Sequence, residues 1–118
     1  MPVILVVDDD ARYRLGVRLV LERSGYTVLE ADNGQSGLKE LAQAAIDLVV
    51  TDIVMPVMEG IEFIRLLKKA HPELPVIAMS GGPRSDLYLD LARKMGAVAV
   101  LSKPFSDVQL LAAVAKAK

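Results

Sequence analysis

The chain has 118 residues, a length typical of one domain, and its hydrophobic fraction of 53% is enough for one substantial core. Its formal charge is −1 with no basic block and no acidic tail, which argues against binding nucleic acid through a phosphate-neutralising face. Cysteine is absent, so disulfides, thiolate nucleophiles and zinc–thiolate sites are excluded.

The first predicted element is a strand over Val3–Val7, an apolar run that stops at three consecutive aspartates. This run is far shorter than the about 20 apolar residues of a membrane span, and it lacks the basic flank of a signal peptide. We assign Asp10 as the N-cap of the helix that follows. With the lack of cysteine, these features lead us to expect a cytoplasmic protein that does not associate with membranes.

Four further short runs, rich in valine and isoleucine, alternate with helical stretches along the rest of the chain. The five predicted strands are Val3–Val7, Thr27–Ala31 and residues 47–51, 75–80 and 98–101. Most are nearly continuously apolar, which is typical of strands buried on both faces. The predicted helices carry apolar residues at spacings of three and four, in the sets Val17, Val20 and Leu21; Leu38, Leu41 and Ala42; Ile61, Ile64 and Leu67; Leu87, Leu91 and Met95; and Leu110, Leu111 and Val114.

Chain terminators support this alternation of strands and helices. Gly25 and Gly96 follow the first and fourth predicted helices, and Pro72 ends the third. No linker or repeat interrupts the chain, so we predict one domain over residues 1–118. Strict strand–helix alternation indicates an α/β fold, a doubly wound sheet of five parallel strands with helices on both faces. Ligands of such sheets bind beyond the carboxyl ends of the strands.

Five polar residues stand at this edge of the predicted sheet. Asp8 and Asp9 end the first strand, and Asp52 and Ser80 end the third and fourth. Lys103 comes just after the fifth. Each residue alone is more often a turn, cap or solvated residue than part of a site. Chance would have to place all five at strand ends together, so we predict that they form one site.

The chemistry of these residues favours a phosphoryl acceptor. Three clustered carboxylates repel one another unless cations join them, and a divalent ion together with Lys103 would balance their charge. Oxygen ligands suit Mg²⁺, with Mn²⁺ as the alternative. A carboxylate can itself act as a nucleophile towards phosphorus, and the Ser80 hydroxyl and Lys103 would hold phosphoryl oxygens.

Four motifs in this chain resemble those of the receiver domains of bacterial response regulators, including the chemotaxis regulators. They are Val-Val-Asp-Asp at 6–9, Thr-Asp-Ile-Val-Met-Pro at 51–56 with Gly60 after it, Ser-Gly at 80–81, and Ser-Lys-Pro-Phe at 102–105. Order and spacing match the family over essentially the whole chain. The resemblance implies a flavodoxin-like fold, with strand order 2-1-3-4-5 and five flanking helices.

The same resemblance assigns the metal ligands and the acceptor. It makes Asp52 the phosphoacceptor and gives Asp9 a direct bond to Mg²⁺, while Asp8 acts largely through bound water. The backbone carbonyl of Val54 is the third protein ligand. By the same likeness, Ser80 contacts the phosphoryl group.

Two further expectations concern the fifth strand and the residues that follow it. Lys103 pairs with a phosphoryl oxygen, and the Lys103–Pro104 bond is typically cis in the family. The chain departs from the family at Val100, where receivers often carry Tyr or Phe. We therefore expect a smaller rearrangement on phosphorylation, or one carried by the loop at residues 81–83.

The implied function is a switch in a two-component or phosphorelay system. A histidine kinase or histidine phosphotransfer protein donates, and the face of the fourth helix, fifth strand and fifth helix signals to a downstream protein or mediates dimerisation. Catalysis is limited to the chain's own phosphorylation and dephosphorylation. The identities of the kinase and target stay open, as does membership in a longer regulator or hybrid kinase.

Two rival functions were weighed. A magnesium-dependent phosphohydrolase with an aspartate nucleophile typically has a second acid two residues after it, where this chain has Val54. A length of 118 residues also leaves little for a substrate cap. A protein-binding module that has lost phosphorylation is disfavoured because Asp8, Asp9, Asp52 and the other two site residues are all present.

Overall fold

A computed structural model describes residues 2–53, 60–82 and 84–117, in which strands and helices alternate from one end to the other. The elements are β1 (Val3–Val7), α1 (Ala11–Arg23), β2 (Thr27–Ala31), α2 (Gly34–Gln43), β3 (Leu48–Asp52), α3 (Gly60–Ala70), β4 (Val76–Ser80), α4 (Ser85–Lys94), β5 (Ala99–Ser102) and α5 (Asp107–Ala117). No helix within these ranges has both the length and the apolar character needed to cross a bilayer.

The strands form one parallel sheet in the order β2-β1-β3-β4-β5. This confirms the predicted doubly wound fold. The order reverses between β1 and β3, because the chain passes from β1 to one edge and then returns to build the other side. A crevice opens at such a reversal, at the carboxyl ends of the strands.

Three strands are displaced from the predicted ranges, and the shift bears on the site. The third strand starts at Leu48 rather than at residue 47, and the Asp47 carboxylate just before it accepts a hydrogen bond from the Val3 backbone N–H at 2.8 Å. It then continues through Asp52, which pairs in register with Met79. The predicted strands at 75–80 and 98–101 are Val76–Ser80 and Ala99–Ser102. The acidic residue is thus part of the sheet, although aspartate is a poor strand former.

The sheet is buried on both faces because successive side chains alternate between two apolar clusters. Leu5 and Val7 face one cluster, in which α2, α3 and α4 pack, and Phe63 of α3 is fully buried there. Ile4 and Val6 face the opposite cluster, in which α1 and α5 pack. Helices covering both faces make the sheet a rigid support for residues at its edge.

The apolar residues of α4 divide between the core and the surface. Leu87 and Leu91 are 56% and 39% exposed, whereas Leu89 and Ala92 are buried. Both sets satisfy helical spacing, so periodicity alone does not distinguish them. Leu89 and Ala92 lie on the face of α4 that joins the apolar cluster of the core. Ala42 of the α2 set is likewise exposed rather than buried.

The predicted helix ends are confirmed. The Asp10 carboxylate caps α1 by accepting hydrogen bonds from the backbone N–H groups of Arg12 and Tyr13, at 3.0 and 3.2 Å. Gly25 and Gly96 follow α1 and α4 with φ of 93° and 113°, a region that favours glycine. The cap at Asp10 fixes the start of α1 directly after the acidic end of β1.

Candidate functional site

Three aspartates meet at the carboxyl edge of the sheet. Asp8, Asp9 and Asp52 each offer one carboxylate oxygen, and these three oxygens lie within 4.8 Å of one another. Asp8 is fully buried and Asp52 nearly so, whereas Asp9 is exposed. Val7 pairs with Thr51 in the sheet. Asp8 and Asp52, which follow these two residues, are therefore brought side by side. The structure therefore brings together the carboxylates that the sequence predicts to converge.

Lys103 joins two of these carboxylates. Its Nζ donates to Asp8 Oδ2 at 2.8 Å and to Asp52 Oδ2 at 3.0 Å, and its side chain is only 15% exposed. Its backbone N–H donates to the Ser80 carbonyl at 2.7 Å, and the Lys103–Pro104 bond is cis, as the family resemblance implies. The loop after β5 is thus tied to the end of β4, and it directs the ammonium group across the sheet edge.

The charges in this cluster are not fully balanced by one lysine. Burial raises the pKa of Asp8, against the opposing effect of its hydrogen bond with Lys103. Burial lowers the pKa of Lys103, but the hydrogen bond to Asp8 and the charges of Asp52 and Asp8 outweigh it, so the pKa is raised overall. The ammonium group therefore stays charged at neutral pH. Three carboxylates within 4.8 Å of one another beside a single ammonium leave net negative charge, which a further cation would offset.

Ser80 contributes a buried hydroxyl beside the carboxylates. It is fully buried at the end of β4, and its Oγ has no hydrogen-bond partner within the described ranges. The residue before it, Met79, pairs with Asp52, so the hydroxyl belongs to the same edge of the sheet. A buried hydroxyl without a partner costs about 1–3 kcal/mol. Such a donor fits a ligand that brings oxygen atoms to the site.

Arg14 holds the acidic end of β1 in place, a role that was missed from the sequence. Its Nη1 donates to the Asp8 carbonyl oxygen at 2.7 Å, and its Nε donates to Glu30 of β2 at 2.8 Å. The backbone N–H of Asp10 donates to Asp8 Oδ1 at 2.9 Å. The available signal was Glu30, an acid between apolar residues of β2, which favours a cationic partner.

Two of the sequence-based assignments concern residues outside the described ranges. The Val54 carbonyl, predicted as a metal ligand, lies outside them, and so does Pro83 of the loop at residues 81–83. Gly81 is described, and a Cβ added there would lie 3.0 Å from Lys103 Cβ. This close approach explains why a residue without a side chain follows Ser80.

Val100 occupies the position at which the family often has an aromatic ring. It is half-buried in β5 and packs against the cluster beneath α2, α3 and α4. Beside it, a cleft of about 210 Å³ is lined by residues of α4, among them Asp86 and Arg93. Val100 thus borders a cleft between α4 and β5.

Comparisons with known proteins agree with this geometry. The response regulator receiver domain family matches residues 4–115. The chain is 35% identical over 114 residues to the transcriptional regulatory protein FixJ of Bradyrhizobium diazoefficiens, covering 97% of this chain and 55% of that one. It is 37% identical to the transcriptional regulator NtrC of Rhizobium meliloti over 97% of this chain and 23% of that one. The chain therefore spans about half or less of these relatives.

A solved structure gives the same result. The receiver domain of NtrX from Brucella abortus superimposes with a TM-score of 0.92 at 32% identity, covering 97% of this chain and 96% of that domain. The two chains correspond over nearly their full lengths, and the residues that match the family include the three aspartates, Ser80 and Lys103. The chain belongs to the response regulator receiver domain family, the signalling domain of two-component systems.

Proposed function

We propose that this chain is the phosphoacceptor switch of a two-component or phosphorelay system, with Asp52 as the acceptor. A histidine kinase or histidine phosphotransfer protein is the donor. The observation that carries the proposal is the bridge from Lys103 to Asp8 and Asp52, beside the buried Ser80 hydroxyl that lacks a partner in the described part of the chain. We propose that residues 1–118 act as one receiver domain in the cytoplasm.

The donor set fits a magnesium ion. Asp8, Asp9 and Asp52 offer only oxygen, and the exposure of Asp9 leaves one side open to the waters that Mg²⁺ usually keeps. We propose these residues as ligands, together with the Val54 carbonyl, and Mn²⁺ would suit the same set. When bound, the ion supplies positive charge to phosphoryl oxygens during transfer.

The side chains of the site then transfer the phosphoryl group from the donor histidine to Asp52. A carboxylate oxygen of Asp52 attacks the phosphorus of the phosphohistidine, so an O–P bond forms while the P–N bond breaks and the imidazole leaves. Lys103 lies 3.0 Å from Asp52 Oδ2 and turns to a phosphoryl oxygen as that carboxylate loses its charge. The Ser80 hydroxyl donates to another phosphoryl oxygen and so gains a hydrogen-bond partner.

We further propose that the signal leaves through the face formed by α4, β5 and α5. Leu87 and Leu91 are exposed on α4 and would contact a downstream protein or a second copy. Because Val100 provides no aromatic gate, the change is smaller or passes through the loop at residues 81–83. Unchanged amide resonances of Gly81 and Gly82 on phosphorylation, measured by NMR, would exclude the loop.

Acetyl phosphate with Mg²⁺ tests the proposed function. We expect the intact protein to gain the mass of one phosphoryl group, and we expect hydroxylamine to remove it. The variant Asp52→Asn should gain none, because it lacks the nucleophile. Labelling that persists in this variant would contradict the assignment. Steady turnover of added phosphate esters would favour the phosphohydrolase.

The hydrogen bonds of Arg14 predict an indirect effect on metal binding. Arg14→Met keeps the aliphatic stem but removes both donors, so the Asp8 carbonyl loses its arginine partner and Glu30 keeps only its ion pair with Arg18. We expect Mg²⁺ affinity to fall about tenfold, as is typical when a group that orients a ligand is removed. Calorimetric titration with Mg²⁺ measures the change. Arg12→Met, an exposed arginine of the same helical turn, is the control, and equal affinities in the two variants would refute the role.

A further inference from the structure

The Lys103 ammonium has a third neighbour besides the two carboxylates. The ring of Tyr13 lies over Lys103 Nζ, with 4.3 Å between the nitrogen and the ring centroid. This is within the range of a cation–π interaction, which strengthens when the cation is removed from water. The lysine side chain is 15% exposed, so the contact is largely shielded.

The Tyr13 ring is held from two separate elements. Its backbone lies in the first turn of α1, where its N–H donates to the capping carboxylate of Asp10 at 3.2 Å. Its ring meets Phe105 edge to face, with 5.5 Å between centroids and 77° between planes. Phe105 follows Lys103 by two residues, so the loop that carries the ammonium also positions the ring beside it.

The chemistry of Tyr13 matches a neutral aromatic surface. Burial raises the pKa of its hydroxyl, so the phenol is uncharged at neutral pH and the attraction comes from the ring face. The Lys103 ammonium has three N–H groups, and it donates hydrogen bonds to the carboxylates of Asp8 and Asp52. An aliphatic side chain at residue 13 would fill similar space without attracting the cation.

Given the phosphoacceptor function proposed above, we propose that Tyr13 is a positioning residue for phosphoryl transfer, whose ring face holds the Lys103 ammonium at Asp52. The ring restricts the ammonium to the side where the carboxylates lie, and where a phosphoryl oxygen on Asp52 will arrive. Because the Lys103 side chain is already ordered before the reaction, it loses less conformational entropy during phosphoryl transfer.

Substitutions at residue 13 separate the ring's electrostatic effect from its volume. Tyr13→Phe keeps the ring, and we expect its rate constant for phosphorylation by acetyl phosphate to stay within about twofold of wild type. Tyr13→Leu removes the ring and should lower it about five- to tenfold. Tyr26→Leu is the matched control, because Tyr26 packs against the same apolar cluster as Tyr13 without being part of this site. It should keep the wild-type rate.

Phenylalanines with one, two and three ring fluorines at residue 13 give a sharper series. Fluorine weakens the negative ring face while changing the shape little, so the rate should fall stepwise with fluorination. In the unphosphorylated protein, the ring current should also shift the Lys103 Hε resonances. Tyr13→Phe should keep this shift and Tyr13→Leu should abolish it.

The outcomes distinguish this role from the function on which it rests. A wild-type protein that takes no phosphoryl group on Asp52 overturns the proposed function, and the role of Tyr13 with it. If the wild-type protein is labelled normally, two results overturn the role of Tyr13 alone. They are an unchanged rate in Tyr13→Leu and a rate that shows no trend across the fluorinated series. Loss of rate in Tyr13→Phe equal to that in Tyr13→Leu also overturns it.

Discussion

Replacing Lys103 with methionine is expected to lower the free energy of unfolding by about 3 kcal/mol in the absence of divalent metal. The substitution leaves Asp8 fully buried and Asp52 nearly so, without the cation that both contact within 3.0 Å. We expect Mg²⁺ to recover more stability in the variant than in the wild type, because the ion meets a larger uncompensated charge. Urea unfolding followed by circular dichroism, with chelator and with Mg²⁺, measures both effects.

The Lys103 variant also has a predicted pH dependence and a control. The pKa of Asp8 is already raised above its ordinary value of 3.8, so its charged form is penalised in the folded state. The stability deficit should therefore shrink as the pH falls through this raised pKa and the carboxyl becomes protonated. Lys39→Met, at an exposed lysine of α2, should leave stability nearly unchanged. Equal stability of Lys103→Met and wild type in chelator would show that the carboxylates do not need the lysine.

Gly60→Ala is expected to destabilise the fold by about 3 kcal/mol and to impair phosphorylation. A Cβ at Gly60 would lie 2.2 Å from Ile53 Cα and 2.3 Å from the Asp52 carbonyl oxygen, so the backbone must move. The Gly60 N–H also donates to the Ile53 carbonyl at 3.1 Å, which ties the start of α3 to the end of β3. Displacing Asp52 should slow labelling by acetyl phosphate about tenfold or more.

Gly16→Ala is the matched control for this substitution. Gly16 lies within α1, and among the described residues no heavy atom beyond its chain neighbours and the surrounding helix backbone comes within 4 Å of a Cβ placed there. We expect alanine to raise the free energy of unfolding by about 0.5–1 kcal/mol, because glycine is unfavourable inside a helix. Urea unfolding of both variants checks the contrast. A Gly60→Ala variant as stable as Gly16→Ala would contradict the close approach between α3 and β3.

The sequence predicts the architecture well because its main signals are local. Continuous apolar runs and their alternation with helical periods are enough to predict the parallel sheet. The end of β3 at Asp52 was harder to predict, because pairing with Met79 overrides the low strand propensity of aspartate. The rotation of α4 stayed open, because Leu87 and Leu89 belong to two stripes of similar apolar character.

The site was only partly predictable for a related reason. Asp8, Asp52 and Lys103 stand at strand ends, where topology brings them together whatever the details of packing. Tyr13 and Arg14 lie inside a helix, and their roles arise from contacts outside it, with Lys103 for Tyr13 and with Asp8 and Glu30 for Arg14. The ring of Tyr13 meets Lys103 across the sheet edge, which no periodicity in the sequence indicates.

Reductive trapping identifies the phosphorylated residue most directly. Borohydride converts an aspartyl phosphate to homoserine, which peptide mass spectrometry locates in the sequence. After treatment with acetyl phosphate and Mg²⁺, we expect homoserine at residue 52 alone, and none when the metal is chelated. Homoserine at Asp8 or Asp9, or trapping at residue 52 that is indifferent to the metal, would contradict the proposed acceptor site.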